Sequence, residues 1–213
     1  AGRGGKPAAP PVKRFAKERG LPLLQPASLR TGAAQMELAE LSPELIVVAA
    51  YGLFLPSAVL SLPPLGCLNV HPSLLPRYRG PSPVAAAILD GLSITGATVI
   101  LLDEGMDTGP VLTRRAVRID SGAATTANLT ALLFQVGGEL LKEMLPLWVK
   151  GEILPQPQDH GQGGPGKEEQ LGKEHAADQV RLHGHLAQEP EQDHAHAEAD
   201  RRLQSQASLL SAM

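Results

Sequence analysis

The sequence predicts an α/β domain with a largely parallel sheet and helices on both faces, and two observations carry that prediction. First, apolar runs of strand length alternate with helical segments. The runs are ELIVVAA (44–50), LGCLNV (65–70) and TGATVILL (95–102), and the first is the pattern of a strand buried on both faces. Second, the chemically unusual residues gather in the loops at 51–56, 69–80 and 103–109. These are the carboxyl ends of the expected strands, beyond which sheets of this kind hold their ligands.

In chain order, residues 1–11 are rich in Gly and Pro and carry Arg3 and Lys6, which makes them a basic loop. Residues 11–19 read as a helix, with Pro11 in the first turn and Gly20 just past the end. Leu21 to Gln25 suits a short strand. A second helix, Ala33 to Leu41, stops at Ser42-Pro43. After the run at 44–50, Pro56 to Ser61 makes a helical turn or two, and 65–70 leads into the loop NVHPSLLPRYRG. Ser82 is a good N-cap and Pro83 suits the first helical position, so a helix runs to Asp90 and ends at Gly91. Val111 to Ile119 alternates in part with Arg114, Arg115 and Arg118, which places it near a sheet edge. Thr125 or Thr126 caps a long helix to about Val149, which Gly137 and Gly138 weaken by roughly 1 kcal/mol each.

Composition narrows the class. The 213 residues are 43% hydrophobic, enough for one core, but only 3% aromatic, so Leu, Val, Ile and Ala must fill it. A net charge of −3 excludes bulk coating of nucleic acid and leaves room for a local basic patch. Cys67 has no partner for a disulfide, which fits a reducing, cytoplasmic compartment, and in a strand it is a buried inert thiol. No run of about 18 apolar residues is present, so no membrane span is expected. The domain is expected to cover 1–159. Residues 160–213 hold six of the seven histidines, many Gln, Glu and Gly, and no aromatic residue, and are expected to be a disordered or weakly helical tail without a metal site. The opening on Ala1, without a signal-peptide pattern, points to processing or a fragment.

Asn69 and His71 lie two apart on the expected strand and share a face, with Val70 packing behind. An amide that donates, beside an imidazole that donates or accepts, can hold a carbonyl oxygen as it becomes an oxyanion. The plain alternative is a turn former at a strand end. Asp103 and Asp107 lie in a loop with Gly105 and Gly109, residues equally at home in any turn. The functional alternative is that glycine admits a ligand close to the backbone, while a carboxylate beside an imidazole orients it and favours its protonated form. With no Ser or Cys in a nucleophile position, such a set suits direct acyl transfer to a bound amine.

NVHPSLLPRYRGPSP followed by GMDTG resembles the folate-dependent formyltransferases. Within that family the opening GRGGKPAAPPVKRFAKERGLPLLQPASLR is similar to the branch that acts on methionyl initiator tRNA. The resemblance spans residues 1 to about 159. It implies the Rossmann-like formyltransferase fold, here with its first strand missing, and 10-formyltetrahydrofolate as co-substrate, with no metal. Asn69 and His71 would stabilise the oxyanion, and Asp107 would position and polarise His71. Folate would be held by Tyr51, Gly52, Leu53 and Phe54, by the turn Ser73, Leu74, Leu75 and Pro76, and by Asp103 and Gly105, and the Leu75–Pro76 bond suits a cis form. Arg3 and Lys6 would meet the tRNA phosphates or remain a solvated linker. Arg77 and Arg79 would face substrate or pair with surface carboxylates. A monomer acting in the bacterial cytosol, or in a mitochondrial or plastid matrix, is implied. Residues 160–213 lack the strand alternation of the family's small β-barrel, which suggests a reading-frame change or a misplaced gene boundary. Three other outcomes stay open: transfer to a sugar-nucleotide amine, hydrolysis by water, and a non-catalytic fragment.

Overall fold

The computed structural model describes residues 9–119 and 124–159. Arg3, Lys6 and the tail at 160–213 lie outside the described residues. Nine elements follow in chain order: α1 (Pro11–Glu18), α2 (Gly32–Glu40), β1 (Ile46–Ala49), α3 (Ser57–Leu60), β2 (Cys67–His71), α4 (Pro83–Leu89), β3 (Ile94–Leu101), β4 (Val111–Arg118) and α5 (Thr126–Val149). Leu21 to Gln25 forms no strand.

The four strands lie in the order β1-β2-β3-β4. β1 pairs with β2 in parallel, with Val48 opposite Asn69, whereas β2 with β3 and β3 with β4 are antiparallel. The described sheet is therefore mixed rather than largely parallel. The link from β3 to β4 is a loop with no helix, and a connection that short can only join antiparallel neighbours. β1 also departs from the expectation of a strand buried on both faces: its residues alternate between half-buried and exposed, and Val47 is 43% exposed. It is an edge strand with one described neighbour. β4 lies at the opposite edge, as its arginines suggested.

α5 covers one face of the sheet. Leu68, Val70, Ala97, Val99 and Leu112 form a core there with Leu140 and Met144 of α5. Val84 of α4 joins Leu129 and Leu133 in a second cluster. The helix starts on a capping box, in which the Thr125 hydroxyl accepts from the Asn128 N–H and the Asn128 side chain accepts from the Thr125 N–H. Its two glycines differ. Gly137 is the point of closest approach to the sheet, where a Cβ would collide with the Val70 side chain, while Gly138 faces open space. Ser82 occupies the N-cap position of α4 but makes no capping bond.

Cys67, Asn69 and His71 point to the other face. Cys67 lies beneath α3, its Sγ 3.7 Å from the Val59 carbonyl, and burial pushes its thiol up to about 11. The loop after β2 is fixed to the same face by Thr98. Its hydroxyl donates to the Ser73 carbonyl at 2.6 Å and accepts from the Leu75 N–H at 3.2 Å. The Leu75–Pro76 peptide bond is cis.

Candidate active site

Asn69 and His71 emerge together at the carboxyl end of β2 because side chains two apart on a strand share a face, while Val70 packs behind them against α5. Asp107 comes from the loop between β3 and β4. Its Oδ1 accepts from Asn69 Nδ2 at 3.2 Å, and its Oδ2 accepts from the Gly80 N–H at 2.9 Å and lies 3.5 Å from His71 Nδ1. Amide, imidazole and carboxylate thus meet, two of them from the end of β2 and the third from a separate loop.

His71 is 4% exposed, with both ring nitrogens engaged. Nε2 lies 2.8 Å from the Tyr78 carbonyl, which can only accept, so Nε2 carries a hydrogen. Nδ1 then faces Asp107 Oδ2 at 3.5 Å, so the carboxylate borders the ring on that side. Asn69 Nδ2 has two hydrogens, of which Asp107 takes one. Its other N–H is the free donor of the set. Tyr78 itself donates its hydroxyl to Asp90 at 2.7 Å, and its phenol is held above the ordinary range by burial and by that bond.

Three residues of the site have left-handed backbones: Ala50 (φ 51°), Tyr78 (φ 56°) and Asp107 (φ 53°). Each such conformation costs a non-glycine residue roughly 1–3 kcal/mol and persists only where its surroundings dictate it. Dipoles and side chains at this site are held in place at a cost in stability.

The three groups border a cavity of about 560 Å³, the size of a small-molecule site. Tyr51, Gly52, Leu53 and Phe54 line it from the loop after β1, and Asp103, Gly105 and Met106 from the loop after β3. Asp103 also closes its own loop, with Oδ1 accepting from the Gly105 N–H at 3.0 Å and the Thr108 hydroxyl at 2.7 Å. The turn reading thus fits Asp103 as well as its place on the cavity wall, and Asp107 is the carboxylate that reaches Asn69 and His71.

Ser73, Leu74, Leu75 and Pro76 do not line the cavity. Ser73, Leu74 and Leu75 are at most 4% exposed, and Leu74 covers Gly96, where any Cβ would strike the Arg115 carbonyl. Among the described residues, Arg77 and Arg79 pair with no surface carboxylate. Arg77 is buried over the Tyr78 ring, its Cζ 5.3 Å from the centroid, and Arg79 reaches the side chain of Gln158. Sequence reasoning missed the Tyr78 carbonyl and the Gly80 N–H, since backbone groups carry no residue-type signal. It also missed Gln158, for which the only cue was polar spacing after a helix.

Among the described residues no group of His, Cys, Asp and Glu is arranged to hold a metal ion, and no helix is long and apolar enough to cross a membrane. Residues 1–145 match the formyl transferase family. A methionyl-tRNA formyltransferase of Chloroflexus aurantiacus is 52% identical over 160 residues, covering 75% of this chain and 51% of the relative. The chain spans about half the length of the curated relatives it matches. Among solved structures, glycinamide ribonucleotide transformylase 1 from Symbiobacterium toebii superposes with a TM-score of 0.59 at 25% identity, over 68% of this chain and 74% of its own. HypX from Aquifex aeolicus, in complex with tetrahydrofolic acid, does so with a TM-score of 0.55 at 27% identity, over 64% of this chain and 24% of its own. The predicted Rossmann-like formyltransferase fold agrees with these neighbours.

Proposed function

The chain belongs to the formyl transferase family, and we propose that it transfers a formyl group from 10-formyltetrahydrofolate to the amino group of methionyl initiator tRNA. The observation that carries this reading is the meeting of Asn69, His71 and Asp107 at the edge of a cavity of about 560 Å³. The bacterial relative at 52% identity supports tRNA as acceptor, and the tetrahydrofolate complex of HypX supports folate as donor. Action by a monomer in the cytoplasm or an organellar matrix, and contact of Arg3 and Lys6 with tRNA phosphates, belong to the same proposal.

The substrate amine attacks the formyl carbon directly, forming the new C–N bond and a tetrahedral intermediate. The free N–H of Asn69 donates to the oxygen as it gains charge. His71, its Nε2–H held by the Tyr78 carbonyl, borders that oxygen beside Asn69 and shares in stabilising it. Asp107 keeps the ring oriented and takes the proton from the attacking nitrogen. The bond to N10 of the folate then breaks, and N10 receives that proton. Tyr51, Gly52, Leu53, Phe54, Asp103 and Gly105 hold the folate from the cavity walls, while Ser73, Leu74, Leu75 and Pro76 act behind them as the support of the loop.

A formylation assay comparing charged initiator tRNA, a sugar-nucleotide amine and water as acceptors tests the proposal. Formyl-methionyl-tRNA as the main product is expected. Preferential formylation of the sugar amine, or release of formate alone, would overturn the acceptor assignment.

A further inference from the structure

We propose that Gln158 is a positioning residue for formyl transfer, acting through Asp107; the inference rests on the reaction proposed above. Gln158 is 6% exposed and belongs to the segment after α5, beyond the residues matched to the family. The segment is tacked to the start of β4, where Gln156 and Val111 exchange two backbone bonds of 2.8 Å. This brings the Gln158 side chain beneath the loop that carries Asp107.

All the hydrogen-bonding capacity of the Gln158 amide is used there. Nε2 donates to the Asp107 carbonyl at 2.9 Å and to the Gly109 carbonyl at 2.6 Å. Oε1 accepts from Arg79 Nε at 3.1 Å and Nη2 at 2.8 Å. One side chain therefore ties the left-handed backbone of Asp107 to Arg79, the neighbour of Gly80, whose N–H holds the Asp107 carboxylate. The Asp107 carboxylate joins the two halves of the site through Asn69 and the Gly80 N–H, and Gln158 adds a second tie at the Asp107 backbone.

Only an amide meets both demands. Glutamate would keep the Arg79 contact, and strengthen it, but would turn lone pairs toward the Asp107 and Gly109 carbonyls. Methionine, of similar length, would remove all four bonds. A misplacement of about 1 Å at a reacting group costs on the order of 100-fold in rate.

The test uses the full 213-residue chain with Gln158→Met, Gln158→Glu, Asp107→Asn and the Gln158→Met/Asp107→Asn double variant. Both Gln158 variants are expected to lose roughly 10- to 100-fold in kcat with the KM for 10-formyltetrahydrofolate little changed. In the Asp107→Asn background, Gln158→Met is expected to cost less than about twofold more, because its effect runs through Asp107. Gln158→Glu within about twofold of the parent, or losses that multiply in the double variant, would overturn the proposal. If Gln158→Met does not fold, Gln158→Glu decides. If the parent transfers no formyl group, the proposed reaction fails. Gln158 is then judged by the nitrogen NMR signals of the His71 ring without substrate: a shift in Gln158→Glu supports the clamp, and unchanged signals overturn it.

Discussion

Asp107 sits at φ 53° with its carboxylate touching Asn69, Gly80 and His71, and the chemistry proposed for the site depends on that residue staying there. Asn69 supplies the free donor, so Asn69→Ala is expected to lower kcat by roughly 100- to 1000-fold, read in a formylation assay, with the thermal transition little changed. Cys67 takes no part. Burial holds its thiol at about 11, so at pH 8 the folded protein should resist a thiol reagent that labels it quickly in denaturant. The folded state binds that proton more tightly than the ordinary value of 9.0 allows. Its contribution to stability is therefore complete below pH 9 and lost as pH rises toward 11, which a denaturant series across that range would detect. Asn69 and His71 were legible because strand spacing alone puts them on one face. Gln158 was not, because its partners lie 79 and 51 positions away and only the fold unites them.

At the scale of elements, α5 carries the clearest contrast. Gly137→Ala forces a Cβ into the buried, stiff Val70 side chain and should destabilise by about 1–3 kcal/mol. Gly138→Ala meets nothing within 4 Å and should stabilise by about 0.5–1 kcal/mol. Chemical denaturation of the two variants checks both signs. From sequence the pair looked like one weakness in the helix, because helix propensity does not say which residue faces the sheet. Thr125 was legible as a cap from its place before an apolar helical run. The direction of β3 was not, since a helix links it to β2 and such a link usually joins parallel strands. Nor did the apolar run at 44–50 reveal that β1 lies at an edge of the described sheet, because hydrophobicity records a capacity for burial rather than a neighbour.

For the whole molecule, the cavity between the loops after β1, β2 and β3 joins the fold to its function. The ends of β1 and β2 made its location readable, whereas antiparallel β3, whose Leu101 pairs with Leu68, starts its loop beside the beginning of β2. A ligand that binds only the folded state raises the unfolding transition, so a folate analogue at about 100 times its Kd should stabilise the protein by about 2.7 kcal/mol, read as an upward shift in Tm. Cavity walls drawn from α4 and α5 were beyond sequence reasoning, because they depend on how those helices pack. The most direct test of the central claim is single-turnover formyl transfer from 10-formyltetrahydrofolate to charged initiator tRNA, comparing the parent with Asp107→Asn. The account predicts transfer by the parent and a loss of at least about 100-fold in the variant, with the folate-induced shift in Tm preserved in both. Transfer by Asp107→Asn within a few-fold of the parent, or none by a parent that binds folate, would contradict it.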